Sequence, residues 1–445
     1  MTTKPPSGTR DFLPADIRRR EYVIGVVRGV YERYGFEPLE TPAFENIETL
    51  LGKYGEEGNK LIFKILKRGE HEASGEADLA LRYDLTVPLA RVVAQYQNDL
   101  PKFFKRYQIQ PVWRADRPAK GRFREFYQCD IDAIGSTSPT VEAELLSAVA
   151  EVLTILGFSD FVIRLNDRRL LAALMESCAV PPEKQGEVLV ALDKLDKIGR
   201  EGVQKELAAR GIDERATEAL LTVFSQGAQA SAGDLEQAVA GRENGLAALR
   251  SLQGLLGLTA GGPAAARVRL DPSLARGLSY YTGAIMEIAV PDLAGSLGGG
   301  GRYDNLIGMF LGRDVPACGF SLGLERIIVV MTERGMFPDT VARGAADAMV
   351  ALWNDESRAD ALALGGELRS GGLRVDIYPD ADKPGKQFKY ASSRQFPFVA
   401  LVGDDERAQG TVAIKNMTTG AQDTVQRADA AQYIRRQLSA DKDVQ

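Results

Sequence analysis

Lys102-Phe-Phe-Lys-Arg-Tyr-Gln-Ile-Gln-Pro-Val-Trp-Arg-Ala-Asp-Arg-Pro-Ala-Lys-Gly-Arg-Phe-Arg124 runs straight into Glu125-Phe-Tyr-Gln-Cys-Asp-Ile-Asp132. Both ends alternate with period two, and the centre is broken by Pro118 and Gly121, so the stretch predicts a strand, an extended loop and a return strand. In the return strand, alternation puts Gln128, Asp130 and Asp132 on one face and Cys129 and Ile131 on the other. A line of polar side chains on a β-face is costly unless it meets water or a ligand. From Lys102 to Arg124, eight basic residues stand against the single Asp116, a local charge of +7 in a chain whose formal net charge is −6. The expectation is that strand, loop and return strand bring these guanidiniums to one place, where their forks suit phosphate oxygens. A basic hairpin turned to solvent is the plain alternative.

Short mixed runs such as Leu61-Ile-Phe-Lys-Ile-Leu66 and Arg82-Tyr-Asp-Leu-Thr86 read as further antiparallel strands, the second with Arg82, Asp84 and Thr86 on one side. Upstream, apolar residues at helical intervals from Pro14 to Tyr34 predict a long helix stopped by Gly35, followed by an extended segment ending at Pro42. Residues 166–262 change to an Ala-, Leu-, Glu-, Lys- and Gln-rich helical texture, a separate insertion. Strand-like sequence returns at Arg276-Gly-Leu-Ser-Tyr-Tyr-Thr-Gly283, at the four glycines 298–301 and at Ala317 to Ile328, a strand turning into a helix. The glycines allow a phosphate loop, but a tight strand edge approached by another backbone or a flat ligand is the better fit. Neither G-x-x-x-x-G-K-[ST] nor G-x-G-x-x-G occurs. After a linker at 336–346, strand and helix alternate through 347–445, which predicts an α/β unit with a mostly parallel sheet.

The remaining composition sets outer limits. The 445 residues suggest about three domains, and 44% hydrophobic with 26% charged residues is the balance of a globular protein that folds. Three separated cysteines and one histidine, His71, form no zinc ribbon, redox pair or histidine cage, so no zinc is expected and any metal is magnesium carried by a nucleotide. The polar, Pro-rich start and the absence of a long apolar run point to a cytoplasmic, reduced protein. His71, between Glu70 and Glu72, reads as solvated.

These segments together resemble the histidyl-tRNA synthetases, class II aminoacyl-tRNA synthetases, over essentially the whole length. The resemblance begins at Gly8-Thr-Arg-Asp-Phe-Leu-Pro14. Pro42 is similar to the end of class II motif 1, at the dimer interface; Arg114 to Asp116 with Arg122 to Gln128 resembles motif 2, and Gly319 to Arg326 resembles motif 3. Arg276 to Tyr281 resembles the family's R-G-L-D-Y-Y signature, with Ser279 in place of Asp, and this with Leu81 to Thr86 makes the likeness specific for histidine. Tyr127 stands where many bacterial relatives carry His. The resemblance implies an α+β catalytic core with an antiparallel sheet (1–165 and 263–335), a helical insertion (166–262), a linker (336–346) and a C-terminal α/β anticodon-binding domain (347–445).

It also implies a division of labour. Arg114 and Arg276 flank the α-phosphate as catalytic groups. Arg114, Asp116, Arg122, Arg124, Gly299, Gly300, Gly301 and Arg326 bind ATP. Asp84, Thr86, Gln128, Asp132, Tyr280 and Tyr281 bind histidine, with Asp132 and Tyr281 reading the imidazole. Ala119, Lys120 and Arg122 meet the tRNA acceptor end. The implied partners are ATP with Mg2+, L-histidine, tRNA(His) and a second copy in a homodimer, with no membrane. A rival of another class is the histidine-binding regulatory paralogue that serves ATP phosphoribosyltransferase, which lacks the C-terminal domain and tends to lose the motif 2 arginines; an ATP-dependent amide-forming enzyme on the same core is a third reading.

Overall fold

The computed structural model describes residues 2–69, 74–192, 194–275, 280–338, 341 and 346–443. The chain divides into two compact units, Met1–Phe337 and Pro338–Gln445.

The first unit opens with α1 (Pro14–Arg33), which starts on Pro14 at its first turn and ends before Gly35, whose φ of +74° a side-chain-bearing residue rarely adopts. Val23, Val27, Val30 and Tyr31 form its buried stripe, and the Tyr31 hydroxyl donates to the Cys129 carbonyl at 3.1 Å, pinning the helix to the sheet behind it. Then come β1 (Glu37–Pro38), β2 (Phe44–Asn46), β3 (Lys64–Leu66), β4 (Ala77–Leu81) and α2 (Thr86–Gln95). The opening stretch forms β5 (Phe104–Trp113) and β6 (Glu125–Ile134), paired antiparallel from Phe104 opposite Ile134 to Trp113 opposite Glu125. After α3 (Thr140–Ile155) and β7 (Val162–Asp167) comes a helical region: α4 (Arg168–Ser177), α5 (Gln185–Leu192), α6 (Leu195–Ala209), α7 (Glu214–Phe224), α8 (Ala232–Ala238) and α9 (Glu243–Thr259). Side-chain caps start several of these: Asp167 accepts from Arg169 N in α4, Asp213 from Arg215 N in α7, and Ser231 with Asp234 forms a capping box on α8. The unit closes with β8 (Val268–Leu270), β9 (Ala284–Ala289), β10 (Gly298–Arg302), β11 (Ala317–Gly323) and α10 (Leu324–Glu333).

Eight strands form one sheet in the order β1-β5-β6-β11-β10-β9-β7-β8. Its centre is antiparallel, and the edge pairs β1–β5 and β7–β8 are parallel. One face packs on α1, α3 and α10 through Cys129, Ile131, Leu145, Val149, Val152 and Ile327, and Leu170, Leu174, Leu249 and Leu252 of α4 and α9 join the same core. Each such fully buried side chain contributes about 1.5–3 kcal/mol. The opposite face is polar and carries the site.

In this unit three expectations are corrected. Arg82, Asp84 and Thr86 share no strand: β4 ends at Leu81 and Thr86 opens α2, because the Asp84 carboxylate accepts from Val87 N at 3.0 Å and starts a helix there. The glycines of β10 lie inside the sheet between β9 and β11, not at an edge. A Cβ on Gly300 would stand 2.2 Å from the Gly319 carbonyl and one on Gly298 2.5 Å from the Ser321 carbonyl, so neighbouring backbone excludes side chains. Nor do the eight basic residues gather. Lys102, Lys105 and Arg106 sit at one end of the ten-residue β5 and Arg114 to Arg124 beyond the other, about 30 Å of extended chain away.

The second unit has β12 (Ala348–Ala351), α11 (Arg358–Ser370), β13 (Val375–Ile377), α12 (Pro384–Ser393), β14 (Phe398–Leu401), β15 (Thr411–Asn416), β16 (Gln422–Gln426) and α13 (Ala430–Asp443). Its sheet runs β13-β12-β14-β15-β16. The β13–β12 and β12–β14 pairs are parallel, whereas β14–β15 and β15–β16 are antiparallel, which corrects the mostly parallel expectation. The chain between Leu401 and Thr411 is too short for the usual crossover of a dozen or more residues.

Candidate active site

The site face is assembled by register. Arg106, Gln108 and Gln110 of β5 lie opposite Asp132, Asp130 and Gln128 of β6, which in turn face Gly319, Ser321 and Gly323 of β11. Gly299 and Gly301 of β10 continue the row opposite Ser321 and Gly319. Side chains directly opposite in an antiparallel pair share a face, so a polar strip runs into a side-chain-free one. Gln128, Asp130 and Asp132 are 8%, 2% and 2% exposed while Cys129 and Ile131 are in the core, as alternation requires.

Asp84 is the hub at one end. Its Oδ1 accepts from the Tyr54 hydroxyl at 2.9 Å and Val87 N at 3.0 Å, and its Oδ2 from the Tyr280 hydroxyl at 3.1 Å. Burial raises the Asp84 carboxyl above its usual range, against the opposing pull of the Val87 N–H, Arg114 and the two tyrosines. Thr86 hydrogen-bonds Tyr280, and the Tyr280 ring meets those of Tyr281 and Tyr303 edge-on at 5.2 and 5.9 Å. Arg114 lies next to this hub, its Nε donating to the Tyr83 carbonyl at 3.1 Å and its guanidinium 4.3 Å over the Tyr83 ring and 5.1 Å from that of Phe126.

Asp132 is already engaged: it accepts from the Tyr303 hydroxyl and forms a 2.9 Å ion pair with Arg106, a side chain with no exposure, although the guanidinium N–H is not aimed squarely at that oxygen. Gly319 is required beneath it, since a Cβ there would stand 1.9 Å from Asp132 Oδ1. Gln128 donates to Ser321 Oγ at 2.8 Å.

Beyond β5 the loop is held by its own charges. Arg122 makes a bidentate pair with Asp116 at 3.0 and 2.8 Å, and Arg124 donates to the Asp116 carbonyl at 3.0 Å and the Ser7 carbonyl at 3.3 Å. Arg10 stacks 3.5 Å over the Phe123 ring, so the start of the chain braces the loop. Ala119 and Arg122 close a tight turn by reciprocal backbone bonds of 3.0 and 2.9 Å. Lys120 reaches Glu333 on α10 at 2.8 Å, and Arg326 of α10 donates to the Gly121 carbonyl at 3.3 Å and the Ser296 carbonyl at 2.6 Å. Behind the loop Glu325, raised by burial, accepts from Tyr127 N at 2.9 Å and pairs with Arg20 at 3.4 Å.

Arg276, with Gly277 to Ser279, and His71 lie outside the described residues. The structure brings together Asp84, Thr86, Tyr280, Tyr281 and Arg114, and separately Asp116, Arg122, Arg124, Lys120 and Arg326. Sequence reasoning missed Tyr54, Tyr303, Ser321, Arg10 and Arg20, and placed Arg106 with the loop. For Arg106 a signal existed: the alternation in Arg106-Tyr-Gln-Ile-Gln110 matches that of Gln128 to Asp132 across the hairpin.

A polar strip and glycine row on an antiparallel sheet, closed by an arginine-bearing loop between two of its strands, is the architecture of a class II aminoacyl-tRNA synthetase. The family profile described as histidyl-tRNA synthetase matches residues 8–327, and that described as anticodon binding domain matches 347–437. A histidine–tRNA ligase of Flavobacterium johnsoniae is 42% identical over 96% of this chain and 98% of its own length. Among solved structures, the histidyl-tRNA synthetase of Nostoc sp. PCC 7120 superposes with a TM-score of 0.82 at 31% identity, covering 98% of this chain and 100% of that one. A Bacillus halodurans protein titled an ATP phosphoribosyltransferase regulatory subunit/histidyl-tRNA synthetase shares the fold, with a TM-score of 0.73 at 22% identity over 90% of this chain and 98% of that one. The chain belongs to the histidyl-tRNA synthetase family. Among the described residues no helix is long and apolar enough to cross a membrane.

Proposed function

We propose that the chain activates L-histidine with ATP and transfers it to the 3′ end of tRNA(His). A histidine carboxylate oxygen attacks the α-phosphorus, the bond to the β-phosphate oxygen breaks, and pyrophosphate leaves. A hydroxyl of the terminal ribose then attacks the acyl carbon and AMP leaves. Little covalent work falls to the protein in the first step, so positioned cations dominate. Arg114, fixed by Tyr83 and Phe126, and Arg276 receive the charge that grows on the α-phosphoryl oxygens. Magnesium arrives on the triphosphate.

The observation that carries this reading is the Asp84 hub beside Arg114: a buried carboxylate presented to the amino acid and a guanidinium presented to the phosphate, on adjoining elements. Asp84, Thr86 and Gln128 hold the amino acid's ammonium and carboxylate. Asp132 and Tyr281, with Tyr280 beside them, supply the acceptor and hydroxyl that a ring with one donor and one acceptor nitrogen needs. Gly299 to Gly301 give the flat bed, and Arg122, Arg124 and Arg326 hold the triphosphate, Arg122 on exchanging Asp116 for phosphate. Asp116 lies near adenine, and Ala119, Lys120 and Arg122 meet the acceptor end. The domain reading has the core at 1–165 and 263–335, the insertion at 166–262, the linker at 336–346 and the anticodon-binding domain at 347–445. The working form is a cytoplasmic homodimer joined near Pro42.

The fold is shared with a protein carrying the regulatory-subunit title, so fold alone does not separate the two readings. The anticodon-domain match and the presence of Arg114 and Arg122 favour the synthetase. Pyrophosphate exchange with each of the twenty amino acids tests it: exchange with histidine alone is expected, and no exchange with any amino acid would assign the chain to the regulatory class.

A further inference from the structure

Asp130 is the carboxylate on the site face that the roles above leave unused. It lies midway along β6, 2% exposed, between Gln128 and Asp132, opposite Gln108 of β5 and Ser321 of β11. Its Oδ1 has no hydrogen-bond partner, and neither has Oε1 of Gln128 on the same face two residues away. Buried acceptors in native proteins are nearly always satisfied, so Asp130 Oδ1 and Gln128 Oε1, beside an Asp132 Oδ2 that is ion-paired but not hydrogen-bonded, ask for a ligand with N–H donors.

Charge points the same way. The buried cation nearest the pair is Arg106, and its 2.9 Å ion pair goes to Asp132. Asp130 is faced by Arg106 from β5, Asp132 from its own strand, Asp84 from the turn before α2, and the Ser321 hydroxyl from β11. Tyr281 and Arg82 also feel its charge, as do Tyr31 and Cys129 from behind the sheet. Of the cations near Asp84, Asp130 and Asp132, Arg106 pairs with Asp132, Arg82 donates to the Pro111, Thr41 and Pro42 carbonyls, and Arg114 donates to the Tyr83 carbonyl. Burial first, and Asp132 second, against the pull of Arg106, push the Asp130 carboxyl up to about 7.

We propose that Asp130 is a further binding residue of the histidine pocket, the carboxylate that lies beneath the amino acid's ammonium group as its counter-charge. This rests on the pocket assignment above. The carboxylic acid proton leaves to solvent, and the ammonium keeps its three protons, one of which donates to Asp130 Oδ1.

The test compares the wild type with Asp130→Asn, which keeps the shape and removes the charge. Because burial raises the Asp130 carboxyl and its ionised form is required for tight binding, the ratio of wild-type to variant histidine affinity is expected to grow several-fold as the pH rises from about 6 to about 8. Titration of the histidine imidazole is common to both proteins and cancels in the ratio. ATP affinity is expected to be unchanged, which also reports that the variant is folded. A ratio that stays constant with pH would overturn the assignment. Should the Asn variant fail to fold, infrared difference spectra of the wild type decide: a protonated-carboxyl band at pH 6.5 is expected to lose intensity on adding histidine, and an unchanged band would overturn the proposal. Histidine-dependent pyrophosphate exchange by the wild type is measured first. Its absence would remove the synthetase reading, whereas exchange together with a flat affinity ratio would remove the Asp130 role alone.

Discussion

The two halves of the site are built on opposite principles. The sheet floor is buried, and its charged groups are fixed by neighbours distant in sequence: Asp132 by Arg106 and Tyr303, Asp84 by Tyr54 and Tyr280. The loop from Arg114 to Arg124 is half open, and its charged groups hold one another: Arg122 is 53% exposed and grips Asp116 six residues away. A floor with its rotamers locked suits discrimination between amino acids, since mismatched partners would be left unpaired in a dry place. A loop whose arginine already sits on a carboxylate can exchange that carboxylate for phosphate at little net cost. Under the proposed function, the contrast gives amino-acid selection to the floor and nucleotide capture to the loop.

The largest effects should come where the halves meet. Arg114→Ala and Arg276→Ala are each expected to lower histidine-dependent pyrophosphate exchange by about 100-fold or more, the scale of one lost transition-state donor, with histidine affinity little changed. Exchange within about tenfold of wild type would show that neither guanidinium stabilises the phosphoryl charge. Separation of the compact units is next. A protein ending at Phe337 should still form adenylate and still run as a dimer in size-exclusion chromatography, but lose about 100-fold in tRNA affinity with its second binding module. Full tRNA affinity in this protein would remove the anticodon role from 347–445, and an active monomer would remove the dimer.

Within the floor, Asp84→Asn keeps the shape and removes the charge, with the amide nitrogen donating to the Tyr280 hydroxyl that the carboxylate accepted from. The KM for histidine should rise about 10- to 100-fold while the KM for ATP is unchanged, as expected for a charged hydrogen-bond partner. Within the loop, Arg122→Ala should do the reverse, raising the KM for ATP about tenfold and leaving that for histidine alone. If either substitution moved both constants equally, the division between floor and loop would fail. The smallest effect concerns Ala119. A methyl group can neither donate to nor accept from an acceptor-end nucleotide, so matched tRNA transcripts with and without an added 5′ guanosine should be charged within about tenfold of each other. A larger preference for the longer transcript would show that Lys120 or a bridging water has taken over the contact.

Much of this was legible in the chain itself. Period-two alternation in Gln128 to Asp132 fixed which residues face the site, because strand geometry leaves a side chain two choices and core-forming Cys129 and Ile131 take one of them. Pro14 and Gly35 bounded α1 for equally local reasons. The family signatures located Asp84, Thr86, Tyr280, Tyr281 and the loop arginines, since each motif is a short run. Local pattern failed at Arg82 to Thr86, where a single carboxylate capping Val87 N turned an expected strand into a helix start, and at the glycines, whose bareness is imposed by carbonyls of the two flanking strands.

What the tertiary structure alone decided is which charges are neutralised and which are left in need. Arg106, one of eight basic residues in a row of sequence, is withdrawn to the buried floor because register places it opposite Asp132; Arg122 finds Asp116 because the loop turns at Ala119. Asp130 keeps an oxygen without a partner because the nearby Arg106 pairs with Asp132 instead. Composition and spacing count charges, but the energy of a buried charge depends on the distance and direction of its partners, and those are set by strand register and by where the loop turns.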